Sequence, residues 1–210
     1  MIKNLIFDMG GIILPMRNIE EPVKRFGQIG LKREVALQMF GIYGQQGIFF
    51  QVEEGSLSAA DFLSAYRDLT GYAASFEEIA WAWRGFVYDP PAERLMWMQQ
   101  LRAEGYHVAL LSNTNPFLMS HCDSEEFTPE GHPMGFFFDR IYYSYLLGAC
   151  KPDVQAFRRM LKLGDYNACE CLFLDDAFHN VEAARTIGMH ALHVPDNKDW
   201  LLPLREMLAQ

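Results

Sequence analysis

Residues 2–11 read IKNLIFDMGG, a short apolar run that stops at Asp8 and is followed by a pair of glycines. An apolar run of this length, closed by the Gly10-Gly11 turn, is typical of a buried β-strand. It is too short for a signal peptide or a transmembrane helix, so we expect a cytoplasmic protein. An Asp at the end of such a strand can expose its carboxylate to a ligand while the glycines turn the backbone closely around it. Alone, the pattern fits an Asp that only caps a turn equally well.

Beyond Pro90-Pro91 the sequence alternates between short apolar runs and amphipathic segments. The apolar runs predict the strands His107–Leu111, Ile141–Ser144, Cys171–Leu174 and His190–Val194. The amphipathic segments predict the helices Pro91–Glu104, Asp153–Leu163, Val181–Ile187 and Trp200–Leu208. Strands that alternate with helices of this length indicate a parallel sheet covered by helices on both faces.

Residues 17–88 have a different pattern, because their apolar residues recur at helical spacing and no strand is predicted. The predicted helices lie around residues 19–29, 33–42, 58–70 and 75–87. Glu53-Glu54-Gly55-Ser56 and the glycines at 41, 44 and 47 are interpreted as loops. We therefore predict a core domain of residues 1–15 and 90–210, and a compact helical insertion of residues 16–89.

Polar residues follow the end of the first predicted strand at Asp8 and recur in three later clusters. These clusters are Ser112-Asn113-Thr114-Asn115, Cys150-Lys151-Pro152-Asp153 and Asp175-Asp176. Hydroxyl and backbone N–H groups at a helix start suit a phosphate, and a lysine supplies a compact positive charge. Two adjacent carboxylates repel each other, and as hard oxygen ligands they suit Mg²⁺. Taken singly, a helix cap and a solvated lysine are the more frequent explanations of the Ser112 and Lys151 clusters.

The order and spacing of the four clusters, over essentially the whole chain, resemble the motifs of the haloacid dehalogenase-like hydrolase superfamily. Asp8-Met9-Gly10-Gly11, Ser112-Asn113-Thr114-Asn115 and Asp175-Asp176 with Asn180 are most similar to alpha-glucose-1-phosphatases and to the phosphatase domain of soluble epoxide hydrolases. The resemblance implies an α/β fold with a Rossmann-like parallel core sheet of five strands, in the order third, second, first, fourth, fifth. It also implies an α-helical cap inserted between the first and second motifs, where residues 16–89 lie.

By this resemblance, Asp8 attacks the phosphorus of a small phosphate ester and forms an aspartyl-phosphate. The implied cofactor is Mg²⁺, bound by Asp8, the Gly10 carbonyl, Asp175 and Asp176. The implied phosphate-binding residues are Ser112, Asn113 and Lys151, and Lys151 is catalytic together with Asp8. Positioning and charge neutralisation of this kind account for most of the catalysis of phosphoryl transfer. The predicted function is a Mg²⁺-dependent phosphatase for a small phosphorylated metabolite, such as a sugar phosphate.

Gly10 departs from the superfamily pattern, because the phosphatases usually carry a general acid and base Asp at this position. A glycine at this position keeps the backbone carbonyl that would bind the metal but has no side chain to donate a proton. His179, which follows the acid pair, is a candidate replacement for the proton donor. Gly10 is the one residue that supports an alternative function, that of a family member that binds a ligand or a partner without turnover. A second alternative is a metal-free 2-haloacid dehalogenase, which Asp175 and Asp176 disfavour because they repel a carboxylate substrate.

The 210 residues carry a formal net charge of −9, with 18 Lys and Arg against 27 Asp and Glu. Nucleic acids and anionic membranes are not expected partners, because no run of basic residues offsets this charge. The 4 cysteines lack the density of a disulfide framework and are interpreted as reduced thiols. We expect a monomer or homodimer that binds a small-molecule phosphate ester, whose identity depends on cap side chains that no motif assigns.

Overall fold

The structure, a computed structural model, describes residues 1–41, 44–195 and 198–209, so the last residue of the predicted helix 33–42 lies outside it. The strands are β1 (Asn4–Phe7), β2 (Phe40–Gly41), β3 (Gly44–Gln45), β4 (His107–Ser112), β5 (Arg140–Tyr143), β6 (Cys171–Asp175) and β7 (His190–His193). The helices are α1 (Glu20–Gln28), α2 (Arg33–Met39), α3 (Gly47–Glu54), α4 (Ala59–Thr70), α5 (Phe76–Trp83), α6 (Ala92–Ala103), α7 (Pro116–Cys122), α8 (Ser144–Leu147), α9 (Val154–Gly164), α10 (Phe178–Thr186) and α11 (Leu201–Leu208). No helix among the described residues is long and apolar enough to cross a membrane.

Five strands form one parallel sheet in the order β5-β4-β1-β6-β7, which confirms the predicted α/β class and parallel core. β1 lies at the centre, where Phe7 pairs with Leu110 of β4 and with Leu174 of β6. The carboxyl ends of parallel strands meet at one edge of a sheet. The residues that follow β1, β4 and β6 are therefore brought together.

Successive residues of β1 face two different layers of helices, as the two-residue period of a strand requires. Phe7 belongs to one buried apolar cluster with Leu204 of α11. Ile6 belongs to a second cluster with Phe157 of α9 and Val181 of α10. Burial on both faces explains why the strand is a continuous apolar run rather than an alternation of apolar and polar residues.

Aromatic rings form the core of the region that holds α1 to α5. The ring of Phe49, on α3, lies with its centroid 5.3 Å from those of Phe26 and Phe62 and 5.7 Å from that of Trp83. Tilted and edge-on contacts at these distances are favourable for aromatic pairs. Phe62 also contacts Phe117 of α7, at 5.1 Å between centroids. The aromatic core therefore continues into the helix that follows β4.

Two segments connect α1–α5 with the rest of the chain, and they are hydrogen-bonded to each other. Arg17 N donates to Phe86 O and Tyr88 N donates to Pro15 O, both at 2.8 Å. The Arg17 guanidinium also lies 4.0 Å from the centroid of the Tyr88 ring. These contacts lie at the ends of the predicted insertion, residues 16–89, and the division into two domains stays a prediction.

One helix of this region lies where the sequence analysis predicted a loop. α3 runs through Glu53 and Glu54, and Phe49 and Val52 are buried on one of its faces. Gly55 ends the helix with a φ of 87°, a left-handed conformation that glycine adopts without strain. The loop prediction was wrong because the helix has only 8 residues, begins at Gly47 and is followed by Gly55, and is too short to show a clear helical period. The prediction that this region has no strands was also wrong, since β2 and β3 form an antiparallel pair. Each strand has only 2 residues, which is too short for an alternating pattern of apolar and polar residues.

Candidate active site

The acidic and basic residues singled out in the sequence meet at the carboxyl edge of the sheet. Asp8 follows β1, Ser112 ends β4, Asp175 ends β6, and Asp176 comes next. Lys151 lies in the loop before α9, and its amine contacts Asp8 at this edge of the sheet. The buried strands fix the backbone positions of these side chains, so their distances follow from the sheet.

Lys151 is buried and forms ion pairs with two carboxylates. Its Nζ donates to Asp8 Oδ1 at 2.6 Å and to Asp175 Oδ2 at 2.8 Å, and the side chain is 1% exposed. Burial alone would lower the pKa of Lys151, but the charges of Asp175 and Asp8 raise it above its usual value. Burial raises the pKa of Asp8 to about 8, and Lys151 opposes that increase. Lys151 is thus a permanent positive charge that favours the ionised form of Asp8.

Asp175 is fully buried, and both of its oxygens accept hydrogen bonds from the protein. Oδ1 accepts from the Ala177 backbone N–H at 2.8 Å. The Asn180 amide donates to both oxygens, at 3.1 Å to Oδ1 and 3.0 Å to Oδ2. Asp175 therefore connects Lys151 to the first turn of α10.

Asp8, Asp175 and Asp176 each offer a carboxylate oxygen within 4.8 Å of the others. Lys151 supplies one positive charge against these 3 acids, which leaves an excess of negative charge that a bound cation would offset. Asp176 packs closely on the loop after β1, because a Cβ on Gly11 would lie 2.5 Å from Asp176 Oδ2. Gly11 has a φ of +72°, so glycine is needed here for both conformation and space. A set of hard oxygen donors in this arrangement fits Mg²⁺.

The side chain of Asn113 holds the backbone of Lys151. Asn113 Oδ1 accepts from Lys151 N and Asn113 Nδ2 donates to Lys151 O, both at 2.8 Å. The polar atoms of this side chain are thus engaged within the protein. Asn113 lines the cleft, whereas Ser112 is 1% exposed and is not one of the lining residues. The predicted contacts of both residues with a phosphate stay predictions.

A cleft of about 210 Å³ opens above these groups, between the sheet edge and the helices of residues 16–89. Its lining on the sheet side is mostly polar and comprises Asp8, Met9, Gly10, Asn113, Leu118, Lys151, Asp176 and Asn180. Its lining on the other side is mostly apolar and comprises Met16, Glu53, Trp83, Phe86 and Val87. One side of the cleft can thus hold a charged group and the other an organic one.

Glu53 is a cleft residue that the sequence analysis missed, since it assigned the residue to a loop. It lies on α3 and is 9% exposed. Burial raises the pKa of its carboxyl to about 8, and the neighbouring Asn115 side chain only partly offsets this. The spacing of Glu53 from Phe49 and Val52, four and one positions earlier, was the available signal that it shares their buried face.

Gly10 lines the cleft, and its conformation is one that other residues also adopt. A Cβ at this position would meet only the Met16 side chain, 3.0 Å from its Sδ. His179 is exposed and is not one of the lining residues. The structure therefore does not bring this candidate proton donor to the cleft.

The sequence and the fold were compared with known proteins. A model of haloacid dehalogenase-like hydrolases matches residues 2–188. The chain is 38% identical over 208 residues to a D-ribitol-5-phosphate phosphatase from Bacteroides thetaiotaomicron, with 99% of each chain covered. A haloacid dehalogenase-like hydrolase from Porphyromonas gingivalis has a similar structure, with a TM-score of 0.90, 31% identity, and coverage of 100% of this chain and 99% of the other.

A haloacid dehalogenase family enzyme from Bacteroides thetaiotaomicron, solved with magnesium and inorganic phosphate, is also similar, with a TM-score of 0.85 and 29% identity. That match covers 98% of this chain and 100% of the other. The family match spans Asp8, Ser112, Lys151 and Asp176, of which Asp8, Lys151 and Asp176 line the cleft and Ser112 lies at the end of β4. By sequence, fold and the order of its polar clusters, the chain belongs to the haloacid dehalogenase-like hydrolases.

Proposed function

We propose that the protein is a Mg²⁺-dependent phosphatase that hydrolyses a small sugar or polyol phosphate. The observation that carries the proposal is the cluster of Asp8, Lys151, Asp175 and Asp176 beneath a cleft with one polar and one apolar side. Its similarity over 208 residues to a D-ribitol-5-phosphate phosphatase supports the class of substrate. In this proposal, residues 16–89 are the cap that covers the site.

Asp8 acts as the nucleophile in this mechanism. One of its oxygens attacks phosphorus, and the bond from phosphorus to the ester oxygen breaks, with the electron pair leaving on that oxygen. Water then attacks phosphorus of the aspartyl-phosphate and the bond from phosphorus to the Asp8 oxygen breaks, which restores the carboxylate and releases inorganic phosphate. Over the whole cycle, one proton of this water passes to the oxygen of the leaving alcohol. Lys151 holds Asp8 Oδ1 at 2.6 Å, so the other oxygen is oriented for attack. Burial raises the pKa of Asp8, and the same lysine opposes that increase and so favours the ionised form that attacks phosphorus.

Mg²⁺ would be held by the carboxylates of Asp8 and Asp176 and by the Gly10 carbonyl, all from residues that line the cleft. When bound, the ion supplies the positive charge that neutralises phosphoryl oxygens. Asp175 completes the acidic set, and its hydrogen bonds hold the Lys151 amine in place. The acids thus attract the cation that makes their cleft suitable for an anionic substrate.

Lys151, Ser112 and Asn113 are proposed to bind the phosphoryl oxygens. Because both polar side-chain atoms of Asn113 hold the Lys151 backbone, its backbone N–H is the group assigned to the phosphate. Together with the Lys151 amine, such donors would stabilise the charge that develops during transfer.

One observation favours a second candidate function. Gly10 leaves the cleft without the usual general acid, and the described structure does not bring His179 there instead. A protein with this site that binds a phosphate ester without turnover is therefore the alternative.

Metal-dependent phosphate release separates the two candidates. We expect the protein to release phosphate from D-ribitol 5-phosphate with added Mg²⁺, to lose this activity in excess chelator, and to regain it when Mg²⁺ is restored. Asp176→Asn should reduce turnover and Mg²⁺ affinity together, whereas Asp68→Asn, at a side chain 77% exposed, should not. Absence of hydrolysis across a panel of sugar and polyol phosphates, with binding retained, would favour the alternative.

A further inference from the structure

Among the described residues that line the side of the cleft formed by residues 16–89, Glu53 is the one ionisable side chain. Met16, Trp83, Phe86 and Val87 are apolar, and Glu53 lies with them. An apolar lining suits the carbon skeleton of a ligand, whereas a carboxyl within it is costly unless it has a partner. The presence of the Glu53 carboxyl in this apolar lining therefore needs an explanation.

The backbone at Glu53 is fixed against the core of the protein. Ser144 Oγ donates to Glu53 O at 2.6 Å. Two residues later, a Cβ on Gly55 would lie 2.2 Å from Tyr145 O, so the end of α3 is in direct contact with α8. These contacts define the position of Glu53 with respect to the sheet, as a residue that recognises substrate requires.

The carboxyl of Glu53 is poorly satisfied within the protein. No Lys, Arg or His of the described residues forms an ion pair with it, and the Asn115 side chain is the group that offsets its burial. Asn115 is fully buried; its Oδ1 caps α7, while its Nδ2 has no hydrogen-bond partner of regular geometry. The Asn115 amide thus lies beside the Glu53 carboxyl, no hydrogen bond of regular geometry joins the two, and Glu53 itself lines the cleft. A buried donor without a regular partner and a carboxyl without a cation both cost stability, and packing alone does not explain their presence at the cleft.

We propose that Glu53 is a specificity-determining residue, whose carboxyl binds a hydroxyl group of the sugar or polyol part of the substrate. This inference rests on the proposed function. A neutral carboxyl donates one hydrogen bond and accepts others, which matches a hydroxyl, and burial keeps Glu53 largely protonated at neutral pH. The sheet side of the cleft would hold the phosphoryl group, so the hydroxyl in question lies on the organic side.

The test compares a polyol phosphate with an alkyl phosphate of the same chain length. We would measure kcat/KM for D-ribitol 5-phosphate and for n-pentyl phosphate in the wild type, Glu53→Met and Glu53→Gln. Methionine keeps the length of the side chain and removes the hydrogen bonds. We expect Glu53→Met to lower the ratio of kcat/KM values, polyol over alkyl, about 10- to 100-fold. Glu53→Gln, which keeps one donor and one acceptor, should lower it by less. Glu54→Gln, the adjacent residue outside the cleft lining, is the matched control and should keep the wild-type ratio.

The outcomes separate the inference from the function on which it rests. If the folded Glu53→Met or Glu53→Gln protein loses activity on both substrates in the same proportion, Glu53 is a structural residue and the inference is wrong, while the phosphatase stands. If Glu53→Met does not fold, an unchanged ratio in folded Glu53→Gln has the same meaning. If the wild type hydrolyses neither substrate with Mg²⁺, the proposed function fails and the inference fails with it.

Discussion

The two sides of the cleft differ in whether their buried carboxyls have a cationic partner. On the sheet side, Lys151 pairs with Asp8 and Asp175, and Asp175 is satisfied by four hydrogen bonds. On the other side, Glu53 has no ion pair within the described residues and avoids its charge by keeping its proton. The sheet side is thus organised around a charged group that every phosphate ester carries. The other side is organised around what distinguishes one ester from another.

The largest effect should come from the sheet side. Asp8→Asn should reduce phosphate release by roughly 10⁴-fold or more, because the amide is nearly isosteric but does not attack phosphorus. The fold should survive, since Lys151 keeps its hydrogen bond to Asp175. Phosphate release and thermal unfolding measured on the same sample test both statements. Activity above a few per cent of the wild type, with deamidation excluded, would show that Asp8 is not the nucleophile.

A smaller effect should come from restoring a carboxylate at Gly10. A general acid contributes about 10²- to 10⁴-fold where the leaving group needs a proton. A sugar alkoxide needs one and p-nitrophenolate does not. Gly10→Asp should therefore raise the rate on an alkyl phosphate relative to p-nitrophenyl phosphate, once the Met16 side chain moves to admit the new Cβ, 3.0 Å from its Sδ.

Gly10→Ala is the control for the added Cβ, and it should leave the ratio of the two rates as in the wild type. A wild-type enzyme that already cleaves sugar phosphates as fast as p-nitrophenyl phosphate would mean that a proton donor exists. The sheet side would then already contain every group that the reaction needs, and Gly10→Asp would bring no gain. The two sides would then differ more clearly, the sheet side in catalysis and the other side in recognition.

The smallest effect concerns stability and belongs to Glu53. Its pKa is about 8 in the folded protein against a usual value of 4.5. Between these values unfolding releases a proton, so wild-type stability falls as pH rises, by up to about 1.4 kcal/mol per pH unit. Glu53→Gln removes this dependence. Its stability relative to the wild type should rise by about 1–3 kcal/mol between pH 5 and 8, because water in the cleft reduces the full effect.

Urea unfolding at several pH values measures this difference, with Glu54→Gln as the control that should show no trend. A difference between Glu53→Gln and the wild type that stays constant with pH would show that Glu53 is ionised in the folded protein. The two sides of the cleft would then not differ in the way described above.

The sequence predicted the parts of the molecule that depend on neighbouring residues. The apolar runs before Asp8, Ser112 and Asp175 predicted strands, and the rule that parallel strands end at one edge predicted that these residues meet. The hydrogen bonds between Asn113 and Lys151 join residues 38 positions apart, and no local pattern reveals them. Glu53 was missed for a different reason: its helix, α3, is short and flanked by glycines, and its burial depends on the packing of Phe49 against rings of three other helices.

Ser144 gives the contact between α3 and the core an unusual property. Its hydroxyl has one proton and two acceptors within reach, Glu53 O at 2.6 Å and Thr114 O at 3.1 Å, while it accepts from Thr114 N at 3.0 Å. If the end of α3 separated from the core, the hydroxyl would rotate to Thr114 O, and Glu53 O would meet water. Both groups would then still have a hydrogen-bond partner, so breaking this hydrogen bond costs little free energy. The hydrogen bond therefore contributes more to the position at which α3 packs on the core than to the strength of that packing.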